Sequence, residues 1–129
     1  KRSTKMQFFK NRIMSWMKGL KGTVVEYADC IKFMSKPEED IMENFCPVLL
    51  PNWDHSPRSG KSAYIINNAT PKLFKKHCKQ ILHTVMKKQN KIVFLKSWNE
   101  WGEGNYMEPD LKYGKGFIRA LHDALEESE

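Results

Sequence analysis

Residues 91–110 read KIVFLKSWNEWGEGNYMEPD, a short apolar run that empties into a turn crowded with tryptophans and carboxylates. Ile92, Val93, Phe94 and Leu95 are β-branched or aromatic for the most part. Such a run suits a strand covered on both faces, as in a parallel sheet flanked by helices. The twelve residues from Ser97 to Glu108 then bring three carboxylates (Glu100, Glu103, Glu108), two amides (Asn99, Asn105) and three large rings (Trp98, Trp101, Tyr106). Parallel α/β folds carry their sites at this end of a strand.

Carboxylates beside flat apolar rings are what glycosidic-bond chemistry needs: an acid for the leaving oxygen, a base or nucleophile, and faces for sugar rings. Glu100 and Glu103 are the expected reacting pair. On a strand a separation of three sends side chains to opposite faces, whereas on a helical turn it brings them together. Gly102 and Gly104 make such a turn easy to form. The competing reading is a solvated loop whose tryptophans plug the end of a barrel.

Cys46 to Leu50 repeats the layout, a short apolar run with Pro47 near its start, opening into PNWDHSPR at Pro51 to Arg58. If the two strands are parallel neighbours, both loops face one cavity. Trp53 is then placed to stack on a sugar, Asp54 to accept from its hydroxyls, and Arg58 to hold a phosphate or carboxylate bidentately. Equally, Asp54 and Arg58 can pair with each other to fix the loop. His55 is expected to be exposed or structural, as lone loop histidines usually are.

The stretch SWNEWGEGNYMEPDLKYG, Ser97 to Gly114, resembles the C-terminal signature of the WbsX-like glycosyltransferase family, a relative of glycoside hydrolase family 99 with an Asn-Glu-Trp-x-Glu-Gly motif. PNWDHSPR resembles the family's Trp-Asp-Asn-Thr-Pro-Arg stretch, with His55 where the family often has Asn, and NATPKLF at Asn68 to Phe74 resembles its helix start. The resemblance covers roughly residues 45 to 126. It implies an α/β fold, the C-terminal part of a (β/α)8 TIM-barrel-like domain with parallel strands alternating with helices. Residues 1–44 would be a helical lead-in and 45–129 two βα units carrying the site loops. Such a barrel typically needs about 250 residues, so the 129-residue chain is expected to be part of a larger domain, completed by another copy or rearranged into a smaller sheet. By position, Glu103 matches the acid/base glutamate of the family 99 relatives and Glu100 the carboxylate that assists at the sugar 2-hydroxyl. Trp53, Asp54, Arg58, Trp98, Asn99, Trp101, Asn105, Tyr106 and Glu108 would contact substrate or clamp the loop.

The net charge of +7 is unevenly placed: residues 1–36 hold nine Lys and Arg against Glu26 and Asp29, and the remainder balances. The basic residues fall between apolar ones at helical spacing with no nucleic-acid motif, which favours a solvated helix face. Cys30, Cys46 and Cys78 form no C-x-x-C pair, so neither a metal centre nor a disulfide framework is indicated, and inert buried thiols in a reducing, cytoplasmic setting are expected. No stretch has the eighteen or so apolar residues that span a bilayer.

The remaining elements read as follows. Residues 4–18 form an amphipathic helix behind a Thr4/Gln7 capping pattern, with Met6, Phe9, Ile13 and Trp16 inward. Thr23 to Val25 is a short strand, Tyr27 to Met34 a helix with Ala28, Ile31 and Met34 inward, and Pro37 opens a turn. Tyr64 to Ile66 is extended. Thr70 caps a long helix with Pro71 at its first position and a stripe through Phe74, His77, Cys78, Ile81, Leu82 and Val85. Lys115 to Glu126 closes the chain, burying Phe117, Ile118, Leu121, Ala124 and Leu125. His77 beside Cys78 is a core histidine, because adjacent helical positions diverge by about 100°.

The chain is therefore expected to be carbohydrate-active, a glycosyltransferase or glycoside hydrolase of surface polysaccharide or lipopolysaccharide metabolism, acting on an oligosaccharide or sugar, with a nucleotide-sugar donor possible and no metal or other cofactor. No nucleotide-binding glycine motif is present. The alternatives are a glycan-binding module without turnover, and nucleic-acid binding by the basic first helix.

Overall fold

The structure, a computed structural model, describes residues 22–128; the helix expected over 4–18 lies outside them. The described chain is mixed α/β. β1 (Thr23–Glu26) runs into helix α1 (Tyr27–Met34) and a short helix α2 (Pro37–Asp40). β2 (Val48–Leu49), β3 (Trp53–Asp54), a single turn α3 (Ser56–Ser59) and β4 (Tyr64–Asn67) follow. After the long α4 (Pro71–Val85) come β5 (Phe94–Leu95), β6 (Asn99–Glu100), β7 (Asn105–Tyr106) and α5 (Gly116–Glu126).

Among the described residues the strands make three small sheets. β1 and β4 pair in parallel, with β3 antiparallel on the far side of β4. β2 and β5 pair in parallel, Leu49 opposite Leu95, as the two repeated run-then-loop layouts require. Both loops therefore leave neighbouring strands at the same end. β6 and β7 form a tight hairpin within the second loop.

α4 begins where its sequence says it should: Thr70 Oγ1 accepts from Leu73 N at 3.3 Å and Pro71 occupies the first turn. Its apolar stripe is fully buried at Phe74, Cys78 and Ile81, and packs on α5 through Phe74 and Phe117, whose rings lie 5.7 Å apart. Truncating Phe74 at this centre would cost about 3–5 kcal/mol. His77 belongs to the same core, completely buried, with Nε2 accepting from Leu50 N at 3.4 Å. Tyr27 ties α1 to β2 by donating from its hydroxyl to Leu50 O at 2.5 Å.

Several expectations change. The 92–95 run is not covered on both faces: Val93 and Leu95 turn to the core while Ile92 and Phe94 are 48% and 59% exposed. The reason is that, among the described residues, nothing packs over the face that Phe94 shares with its exposed partner Val48. α1 buries Tyr27 and Ile31 rather than Ala28, because its inward face starts one residue earlier. In α5 Ala120 is buried and Leu125 exposed. Of the three thiols, Cys78 is buried and Cys30 and Cys46 only half-buried; all are free.

Candidate active site

The 97–108 loop is built on two interlocking asparagines. Asn105, completely buried, donates from Nδ2 to Lys96 O at 3.1 Å and also to Asn52 O. Asn52 answers from the neighbouring loop, accepting from Tyr106 N at 2.8 Å and donating to Tyr106 O at 3.2 Å. Ser97 Oγ adds a bond to Asn105 O at 2.7 Å. Backbone is thus stitched to backbone across more than fifty residues of sequence.

On that base, Trp101–Glu103 forms a single 3₁₀ turn, so the spacing of three puts Glu100 and Glu103 toward one cluster of charge. Gly104 ends the turn in the left-handed region at φ +51°, and a Cβ there would stand 2.9 Å from Asp54 Cβ. Only glycine lets the 53–55 and 101–104 segments approach so closely. Gly102 sits directly under the ion pair, its missing Cβ 3.1 Å from Glu100 Oε1 and 3.2 Å from Arg58 Nη2.

Arg58 meets both glutamates. Its Nη2 donates to Glu100 Oε1 at 2.8 Å and its Nη1 lies 3.6 Å from Glu103 Oε1. Two more nitrogen groups stand beside Glu103: His55 Nε2 at 3.7 Å and Lys96 Nζ at 4.0 Å. Glu103 is also the less exposed of the pair, 19% against 39% for Glu100. Asp54 does not pair with Arg58; its Oδ1 instead accepts from Ser56 N at 2.9 Å and starts the α3 turn. His55, expected to be exposed or structural, instead faces Glu103, and Lys96, the last residue before the 97–108 loop, was not singled out by sequence. Ser59 Oγ, 2.7 Å from His55 Nδ1, fixes the imidazole from behind.

The aromatic residues divide into two groups. Trp101 stacks on Tyr106 at 3.7 Å and 14°, and its Nε1 donates to Glu108 Oε2 at 2.6 Å, so these three side chains brace one another. Burial and the neighbouring Asp110 raise the Tyr106 phenol above its ordinary range, keeping it neutral. Trp98 is half-exposed and Trp53 half-buried, with the Lys96 ammonium 5.4 Å over the Trp53 ring. Asn99 is exposed. Of the residues expected to meet a ligand, the 97–108 loop therefore presents Trp98, Asn99, Glu100 and Trp101 outward, the neighbouring loop presents Arg58, and Asn105 is held inside. Among the described residues no group of three His, Cys, Asp or Glu side chains is arranged to hold a metal ion.

Two proteins printed as uncharacterized protein WxcX, from two strains of Xanthomonas campestris pv. campestris, are similar to this chain: 28% identical over 108 residues and 30% over 82. These matches take in 81% and 61% of the chain but only 15% and 12% of the relatives, so the chain spans a small part of their length. No solved structure matches it. The model of the family described as Glycosyltransferase WbsX matches residues 1–121, and the chain belongs to that family.

Proposed function

We propose that this chain carries the catalytic loops of a carbohydrate-active enzyme that makes or breaks glycosidic bonds. One observation carries the reading: a single 3₁₀ turn and one guanidinium hold Glu100 and Glu103 together in one ion cluster, in a loop that also leaves Trp98 half-exposed. In this reading Glu103 exchanges the proton with the glycosidic oxygen, Glu100 engages the sugar ring, and Trp98 with Trp53 supplies apolar faces. Arg58, His55 and Lys96 balance the two carboxylates until a sugar enters and displaces part of the ion cluster. Asn105, Asn52, Glu108 and the Trp101–Tyr106 stack act one step back, holding the loop. The parallel pairs β1–β4 and β2–β5, each feeding a site loop or a helix, fit the C-terminal part of a barrel-like domain. A role in surface polysaccharide or lipopolysaccharide assembly, on a sugar acceptor with a nucleotide-sugar donor, is the family-level extension of the same proposal.

A glycan-binding role without turnover is favoured by one observation, that cations already surround Glu103. The two readings separate on a panel of labelled oligosaccharides and nucleotide sugars given to a protein of the relatives' length containing this segment. Catalysis predicts that Glu103→Gln keeps oligosaccharide binding while losing product formation, and that Trp98→Ala weakens binding. Binding by the wild type with no product from any panel member supports the module instead.

A further inference from the structure

On the side of α4 facing α1 and α2, well away in sequence from the carboxylate loop, lies an open groove of about 1320 Å³. Among the described residues six lysines line it, Lys32, Lys72, Lys75, Lys76, Lys79 and Lys87, with the carboxylates Glu38 and Glu127, while Asp29 and Asp123 pair with Lys32 and Lys75 from beside it. Five of the six fall on α4 or the turn after it at intervals of one to eight residues, with His83 in the middle of the longest gap. They form a track of cations about 22 Å long at 1.5 Å rise per residue. One wall is already ordered: Glu127 accepts from Lys75 Nζ at 2.6 Å and from Lys79 Nζ at 2.7 Å. Lys72 and Lys76 have no carboxylate partner among the described residues. The floor is apolar, formed by buried Ile31 and by Ile41, which is 42% exposed.

We propose that this groove is a track for a strand of acidic polysaccharide. Its volume exceeds the roughly 300–1,000 Å³ that holds a single small ligand, which argues for a polymer. Its lysines run in a line along α4, which suits a strand better than a flat bilayer. Among the described residues no Phe, Tyr, Trp or Arg lines it, so it lacks the large stacking platforms that single-stranded nucleic acids use. Spaced ammonium groups above an apolar floor match carboxylates alternating with the CH faces of sugar rings. The choice of a sugar polymer rests on the carbohydrate reading of the chain; the charge complementarity does not.

The test is binding of the full chain to a uronic-acid oligosaccharide, oligogalacturonate, with neutral dextran, a single-stranded DNA oligomer and phosphatidylglycerol vesicles alongside. Oligogalacturonate should bind selectively and weaken as salt rises from 50 to 200 mM. Lys72→Glu with Lys76→Glu should weaken it by roughly tenfold at an unchanged melting midpoint. Glu103→Gln should leave this binding intact, so loss of turnover in that variant speaks only to the carboxylate loop. Absence of oligogalacturonate binding, equal binding of DNA or vesicles, or indifference to the lysine reversals would each overturn the track.

Discussion

Arg58 Nη2 lies 2.8 Å from Glu100 Oε1, joining two loops whose residues are 42 apart in sequence. The pair is half-exposed, so its direct contribution to stability is small, on the order of 1 kcal/mol or less. Its effect on geometry is larger, because the same guanidinium reaches Glu103. Arg58→Ala should therefore shift the melting midpoint by no more than a few degrees while lowering turnover by roughly a hundredfold or more. Thermal melting and steady-state kinetics on one preparation check both halves. A variant with full turnover would show that the guanidinium does not set the glutamates.

Asn105 makes the opposite prediction. It is buried, its amide bonds two backbone carbonyls from separate loops, and no solvent reaches it. Asn105→Ala should destabilise the chain by about 2 kcal/mol, lowering the midpoint by roughly 10 °C. Asn99→Ala, on the exposed side of the same hairpin, should leave the midpoint within a degree or two. Equal effects in the two variants would mean that Asn105 is not the loop's anchor.

The buried His77 gives a pH dependence with a definite sign. Burial lowers its imidazole from the ordinary 6.5 to about 4, so the folded chain resists a proton that the unfolded chain accepts. Its contribution is complete above pH 6.5 and is lost as pH falls toward 4, by about 3 kcal/mol in all. Urea unfolding at pH 7, 5.5 and 4 should show the decline, and His77→Gln should flatten it across that window. An equally steep decline in the variant would assign the effect to other groups.

What the sequence made legible follows from the range of each signal. α4 carried a cap, a proline at its first position and four turns of stripe, and the structure begins it at Pro71 as expected. The parallel β2–β5 pairing was implied by two apolar runs opening into similar loops. By contrast β3, β6 and β7 are two residues each, too short for any period to appear, and they exist because Ile65, Ile66 and the hairpin partners lie opposite them. The outward faces of Ile92 and Phe94 depended on what packs over the sheet, which their own residues do not encode. His55 was read as a lone loop residue and Lys96 was passed over, because neither side chain has a partner in sequence until the fold sets a carboxylate 3.7 or 4.0 Å away. Asn105 read as a substrate-facing amide and Asn52 carried no assignment, and only tertiary placement shows that both bond backbone.

The claim that Glu100 and Glu103 work as one unit on one bond is tested most directly by comparing three variants, Glu100→Gln, Glu103→Gln and the double substitution, for product formation on a single active oligosaccharide. The account predicts that either single change lowers turnover by a thousandfold or more and that the double variant is little worse than the slower single, as groups acting together behave. Near-wild-type turnover in either single variant, with binding unchanged, would contradict it.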